Sequence, residues 1–307
     1  MQKNKEGSFL RIIFITLAGI LVAIIPIRCY QYIRVLEPGT GFYNGFEWSR
    51  VVMYVLLATA AVFFLIASFV GRKKIEYSRE KFKSLGVAVA SFMFALTLVI
   101  DAVSQYKTVF ETISDSALMY GTESIQYLKT GLASRGLEGF SAIVSAVFFV
   151  LFGYGHISGK SNASDSKLLA LFPTALCIFR LMHRFMRTIN FLNVSDLLYE
   201  LFMCVFLMAF FMAFAQINSK VGSDGIDWKL TGYGMPAAMF CMLCMLCFLP
   251  RFIMLLTGKS SLLCTQSPIE WCDLGAAVFI IALLLSRIGL KTGTSEPAAE
   301  TTENTES

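Results

Sequence analysis

The chain has 307 residues, of which 56% are hydrophobic and only 15% charged, and its mean hydropathy is +0.66. A water-soluble chain of this length carries about 25% charged residues to cover its surface. The shortage of charge therefore excludes an ordinary soluble domain. The net charge of +5 does not point to nucleic acid, because the basic residues gather at the ends of apolar runs and form no single stripe.

Eight apolar stretches follow one another, over 9–27, 48–70, 85–101, 137–154, 168–182, 197–217, 230–249 and 269–288. A helix crosses a hydrocarbon core about 30 Å thick with roughly 20 residues, and lipid offers backbone groups no other partner. The expected fold is an all-α, polytopic integral membrane bundle of about eight transmembrane helices. The domain plan is a cytoplasmic segment at 1–8, a membrane domain at 9–288 and a disordered acidic tail at 289–307. The first stretch reads as a retained signal anchor, since Pro26-Ile27-Arg28 supplies no small-residue cleavage site.

Charge placement gives an orientation. With the N-terminus inside, inner segments hold 15 Lys and Arg and outer segments 11, and the run from Arg72 to Lys83 supplies most of the margin. Both termini are then cytoplasmic, and the compact loops suggest a plasma membrane. The longest connection, 102–136, falls outside. Ser114-Asp115 is placed to cap a short interfacial helix there, with Leu118, Ile125, Leu128 and Leu132 on one face.

Helices two, four, six and eight share a phrase: Ala61-Val-Phe-Phe, Ala146-Val-Phe-Phe, Ala209-Phe-Phe and Ala277-Val-Phe-Ile. Each begins with a glutamate (Glu47, Glu138, Glu200, Glu270), and each preceding helix ends in a base (Arg28, Lys107, Arg180, Arg251). The base-to-glutamate separations are 19, 31, 20 and 19 residues. Either four hairpins repeat, or helix ends look alike because the macrodipole favours acids at N-termini and bases at C-termini.

The sharpest local feature is Arg180, His183, Arg184 and Arg187, spaced to share one face of the fifth helix. Arg180 lies about 13 residues past Lys167 and so falls near the hydrocarbon, where an unpaired charge is costly. Glu200, at the head of the next helix, is the expected partner. One reading is an anion site open to the outer face, since arginine forks suit carboxylate or phosphate. The other is snorkelling to lipid phosphates with a structural Arg–Glu pair. Asp101 reads as a helix-end marker or a buried proton carrier, and Asp273 as an N-terminal acid of the eighth helix or a cavity partner of Glu270.

Cys241, Cys244 and Cys247 alternate with methionines, yet positions three apart drift around a helix and suit packing better than a shared soft metal. A bridge among Cys29, Cys264 and Cys272 stays open. No hydrolase, zinc or phosphate-loop motif is present, so the chain is not expected to be an enzyme, and no cofactor is implied. The expected function is transport-class: a permease, pore or membrane subunit of a transporter. The alternative is a non-catalytic membrane partner such as a scaffold, assembly factor or sensor. The expected partners are the bilayer, a small anionic ligand and a membrane protein.

Overall fold

The computed structural model describes residues 4–37, 43, 47–71, 84–119, 125–158, 168–187, 194–218, 226–259 and 271–289. Side chains are described for 15–37, 43, 47–69, 84–114, 132–158, 168–184, 197–216, 234–259 and 271–286. The basic run 72–83, Cys264, Glu270 and the acidic tail lie outside the described residues, so the charge-based orientation and the tail are expectations only.

The described elements are α1 (Asn4–Tyr30), α2 (Trp48–Gly71), α3 (Leu85–Met119), α4 (Ile125–Ser158), α5 (Phe172–Arg187), α6 (Val194–Asn218), α7 (Ile226–Leu256) and α8 (Trp271–Gly289). Six spans are long and apolar enough to cross a membrane: Ile15–Val35, Trp48–Phe69, Leu85–Ser114, Leu132–Ser158, Leu197–Gln216 and Gly234–Leu256. A shorter apolar helix, Trp271–Ser286, joins them. The chain is a helical membrane bundle. Its apolar exterior agrees: Val22, Val55, Val89, Leu96 and Met212 are all more than half exposed. Lipid, not water, is the solvent such a surface fits.

Local chemistry sets several helix ends. Ser84 caps α3, its hydroxyl accepting from the Val87 amide at 3.5 Å while its carbonyl accepts from Ala88. At the end of α7, Gly258 takes a φ of 70°, which glycine adopts without steric cost. The Lys259 amide then reaches the Met254 carbonyl, and the Gly258 amide reaches that of Leu255, so two orphan acceptors are satisfied. Past Tyr30, α1 widens into a single π turn, Gln31–Val35, which turns Gln31, Tyr32 and Val35 inward.

The long connection expected at 102–136 is not a loop with its own interfacial helix. Instead α3 continues unbroken to Met119, and α4 begins at Ile125. Between Asp101 and Met119 there is no proline or glycine to stop the helix, and Lys107 and Glu111 pair at 3.7 Å across one turn. Ser114 and Asp115 lie inside α3, and Asp101 sits mid-helix and marks no end. Tyr106 packs over Gly139, where a Cβ would lie 3.0 Å from its ring, so the two helices run close together.

Phenylalanines from α3, α4, α6 and α8 form the centre of the bundle. Phe279 lies 4.9 Å from Phe149, 5.8 Å from Phe214, 5.9 Å from Phe94 and 6.0 Å from Phe152 between ring centroids. The phrase shared by the even-numbered helices therefore has a packing role, since Phe64, Phe148, Phe149, Phe210, Phe211 and Phe279 are all buried. A duplication is not needed to explain it. α7 is the most enclosed span, and Cys241, Cys244 and Cys247 are buried along it as packing thiols. Cys29 and Cys272 carry free thiols.

α3 and α8 come close together at Gly275, where an added Cβ would collide with Thr97 Oγ1. Small residues permit such approach between membrane helices, where van der Waals packing is the main adhesive. Gly275→Val is expected to lower stability by about 1–3 kcal/mol through overpacking. Adding Thr97→Ala should return much of that loss in a detergent melting experiment, and a neutral Gly275→Val would refute the close approach.

Candidate functional site: a buried layer of arginines and carboxylates

Seven of the eight described helices bring a charged residue to one level of the bundle. Odd-numbered helices reach it near Arg28, Asp101, Arg180 and Arg251, whereas α4, α6 and α8 leave it from Glu138, Glu200 and Asp273, so successive helices alternate in direction. The α3, α6 and α8 segments between this level and their opposite ends measure roughly 24–27 Å at 1.5 Å per residue. That is close to the thickness of a hydrocarbon core. The layer thus lies near one boundary of the membrane, inside the protein.

α5 shows why. It is short, with a 3₁₀ turn (Leu169–Leu171) and buried Pro173 at its start. Ile178 and Met182 face outward, whereas Arg180 is 3% and Arg184 7% exposed. Its apolar side chains face out and its charges face in, the reverse of the arrangement of a helix in water. His183 shares this polar side. Arg187 closes α5, but its side chain lies outside the described ones.

Asp273 is the hub. It pairs through Oδ1 with Arg180 Nη1, and its Oδ2 lies 4.0 Å from Arg184 Nη2. Arg180 Nε also faces Glu138 Oε1 at 4.0 Å. Glu200 Oε2 lies 3.8 Å from Arg184 Nη1, and its Oε1 is 2.8 Å from Arg251 Nη2. Arg184 also donates to the Glu200 carbonyl and to Cys204 Sγ, both at 3.4 Å. Half-buried Asp101 lies in the field of Arg180 and Arg184 and bonds to Gln105.

The chain of contacts runs on into an aromatic cage. Arg251 Nε donates to Tyr32 Oη at 3.4 Å. Tyr32 in turn flanks Arg28, whose guanidinium carbon lies 4.8 Å from the Tyr32 ring centre and 5.2 Å from that of Tyr199. Arg28, 1% exposed, donates to Gln31 Oε1 at 2.7 Å and to Tyr43 Oη at 3.2 Å. Gln31 reaches across to the Ser49 carbonyl at 3.1 Å, which ties the π turn to α2. On the other flank, Arg135 Nε donates to His183 Nε2 at 3.0 Å, and His183 Nδ1 lies 3.3 Å from Ser134 Oγ. Cation–π contacts and charge-assisted hydrogen bonds both strengthen where water is excluded.

No family model, curated protein or solved structure matches this chain. The geometry alone must carry the functional argument.

Three of the five residues singled out from spacing, Arg180, Arg184 and Glu200, come together, with His183 on the flank. The expected pairing is corrected in one respect. Arg180 is held by Asp273 and Glu138, whereas both ion pairs of Glu200 go to Arg184 and Arg251. The reason is register: Asp273 and Glu138 enter from α8 and α4 at the height of Arg180, and Glu200 enters one helical turn further along, at Arg184. The central place of Asp273 was missed, as were the roles of Glu138, Arg28 and Arg251. Their signal was present in the alternation of bases and acids at helix ends. It reads as a single layer once the helices are set side by side.

Proposed function

We propose that this protein is a transport-class membrane protein, a permease, pore or transporter subunit, whose buried layer receives a small anion bearing a carboxylate or phosphate. The observation that carries the proposal is Asp273, a carboxylate seated between two guanidinium groups one helical turn apart. Arginine presents a planar fork that matches carboxylate and phosphate oxygens. The seat occupied by Asp273 is therefore one that an anionic substrate of the same shape could take when the internal acid moves aside. Ionisable groups at membrane depth are retained mainly where they serve a ligand, ion or proton. In this reading the layer faces the outer side, both helical termini lie on the cytoplasmic side, and the membrane is the plasma membrane.

The test is flux in liposomes reconstituted with purified protein, using labelled inorganic phosphate and a short dicarboxylate as probes. Arg180→Lys with Arg184→Lys keeps the charge but removes the forks, and is expected to lower uptake at least tenfold. Uptake unchanged by the double substitution would eliminate the layer as the anion seat.

A second reading, a non-catalytic membrane partner, draws on α3 and α4, which run past the charged layer by roughly 20–27 Å. A partner protein could grip that projection. Gentle solubilisation should then recover a second protein in stoichiometric amount, and its loss on shortening the projection would support this reading over the first.

A further inference from the structure

Glu138 differs from the other acids of the layer. Asp273 and Glu200 each offer both oxygens to guanidinium groups. Glu138, 2% exposed, meets Arg180 through Oε1, while Oε2 is buried and has no hydrogen-bond partner among the described residues. A bare carboxylate oxygen shut away from water is among the least favourable groups a protein can bury in charged form. A single proton on that oxygen removes the buried negative charge, the costlier part of the difficulty.

The surrounding charges support this. α5 faces Glu138 with Arg180, Arg184 and the Cys177 thiol, α3 with Asp101, α8 with Asp273, and α4 itself carries Arg135 one turn away. Asp101, Glu138 and Asp273 all crowd Arg180, and Arg184 is already divided between Asp273 and Glu200. Arg28 stands apart in its tyrosine cage, with Tyr32 between it and Arg251. Arg180 and Arg184 are thus each shared between acids, and Glu138 is the acid least engaged by them. A metal ion would need several ligands around one point, and among the described residues no three Asp, Glu, His or Cys side chains converge in that way.

We propose that Glu138 is a proton-binding site, loaded from the charged end of the bundle. Because Arg135 Nε–H donates to His183 Nε2, the imidazole hydrogen sits on Nδ1 and points to Ser134 Oγ. Ser134 and half-buried Arg135 both lie about one turn before Glu138 on α4, and His183 bridges them, so this polar trio adjoins Glu138 at the charged end of the helix. The proton comes from hydronium at that end, bonds to Glu138 Oε2, and leaves a water molecule behind; release reverses the step. With Glu138 neutral, one fewer negative charge competes with Asp273 for Arg180. The site stands whether or not an anion is carried.

The test is infrared spectroscopy of the protein in lipid nanodiscs at neutral pH. The expected spectrum contains the carbonyl stretch of a protonated carboxylic acid, which shifts when the protein is made with ¹³C-glutamate. Glu138→Gln is expected to abolish the band, whereas Glu200→Gln retains it. If Glu138→Gln does not fold, the isotope shift in the unaltered protein still decides between glutamate and aspartate. Absence of the band, a band insensitive to labelled glutamate, or one that survives Glu138→Gln would each overturn the proposal.

Discussion

Asp273→Ala is expected to lower the stability of the bundle by about 3–5 kcal/mol, the usual cost of removing one partner from a buried ion pair. The size of the effect comes from what is left behind. Arg180 and Arg184 both lean on Asp273, so one substitution leaves two desolvated guanidinium groups short of an acid. Asp273→Asn should cost nearly as much, because the lost quantity is charge and not volume. Replacing Arg180 by methionine in the same molecule should return part of the loss, since an apolar pair is often no worse than a buried ionic one. A double-mutant cycle in detergent unfolding measures that coupling directly. Additive losses would mean that the two side chains do not act on one another.

Phe279→Ala should have the next largest effect, about 3 kcal/mol, because deletion of a buried aromatic side chain leaves a cavity that its neighbours fill only partly. Phe279 is fully enclosed and touches rings from three other helices. In a membrane the lost quantity is mainly dispersion contact, since acyl chains are as apolar as the core. Val278, beside it on α8, points outward at 41% exposure and supplies the control. Val278→Ala should change the melting temperature little. Equal effects at the two positions would show that α8 is rotated relative to the arrangement described here.

Much of the bundle was legible from hydropathy alone, because lipid permits so few backbone solutions. The apolar run ending at Val70 and the one starting at Leu85 match helices α2 and α3 within a residue or so. The boundary at Asp101 failed for an equally physical reason. A run of apolar residues ends where the lipid ends, whereas a helix ends where its backbone bonds or caps fail, and nothing between Asp101 and Met119 breaks them. α5 was legible in part from its spacing: positions 180 and 184 share one face, and both arginines turn into the bundle. Their partners were not legible, because spacing along one helix says nothing of the height at which Asp273 or Glu138 arrives from another. The shared Ala-Val-Phe phrase carried real information of a different kind from the one it suggested. It marks where the aromatic core sits.

The central claim is that α5 is embedded in lipid with its arginines turned inward, and nitroxide labels along this helix test it most directly. In protein reconstituted into bilayers, labels at Ile178 and Met182 are predicted to collide with dissolved oxygen and to be shielded from a water-soluble nickel complex. Labels that meet the nickel complex and not oxygen at both positions would contradict the claim, because the outer face of α5 would then be in water.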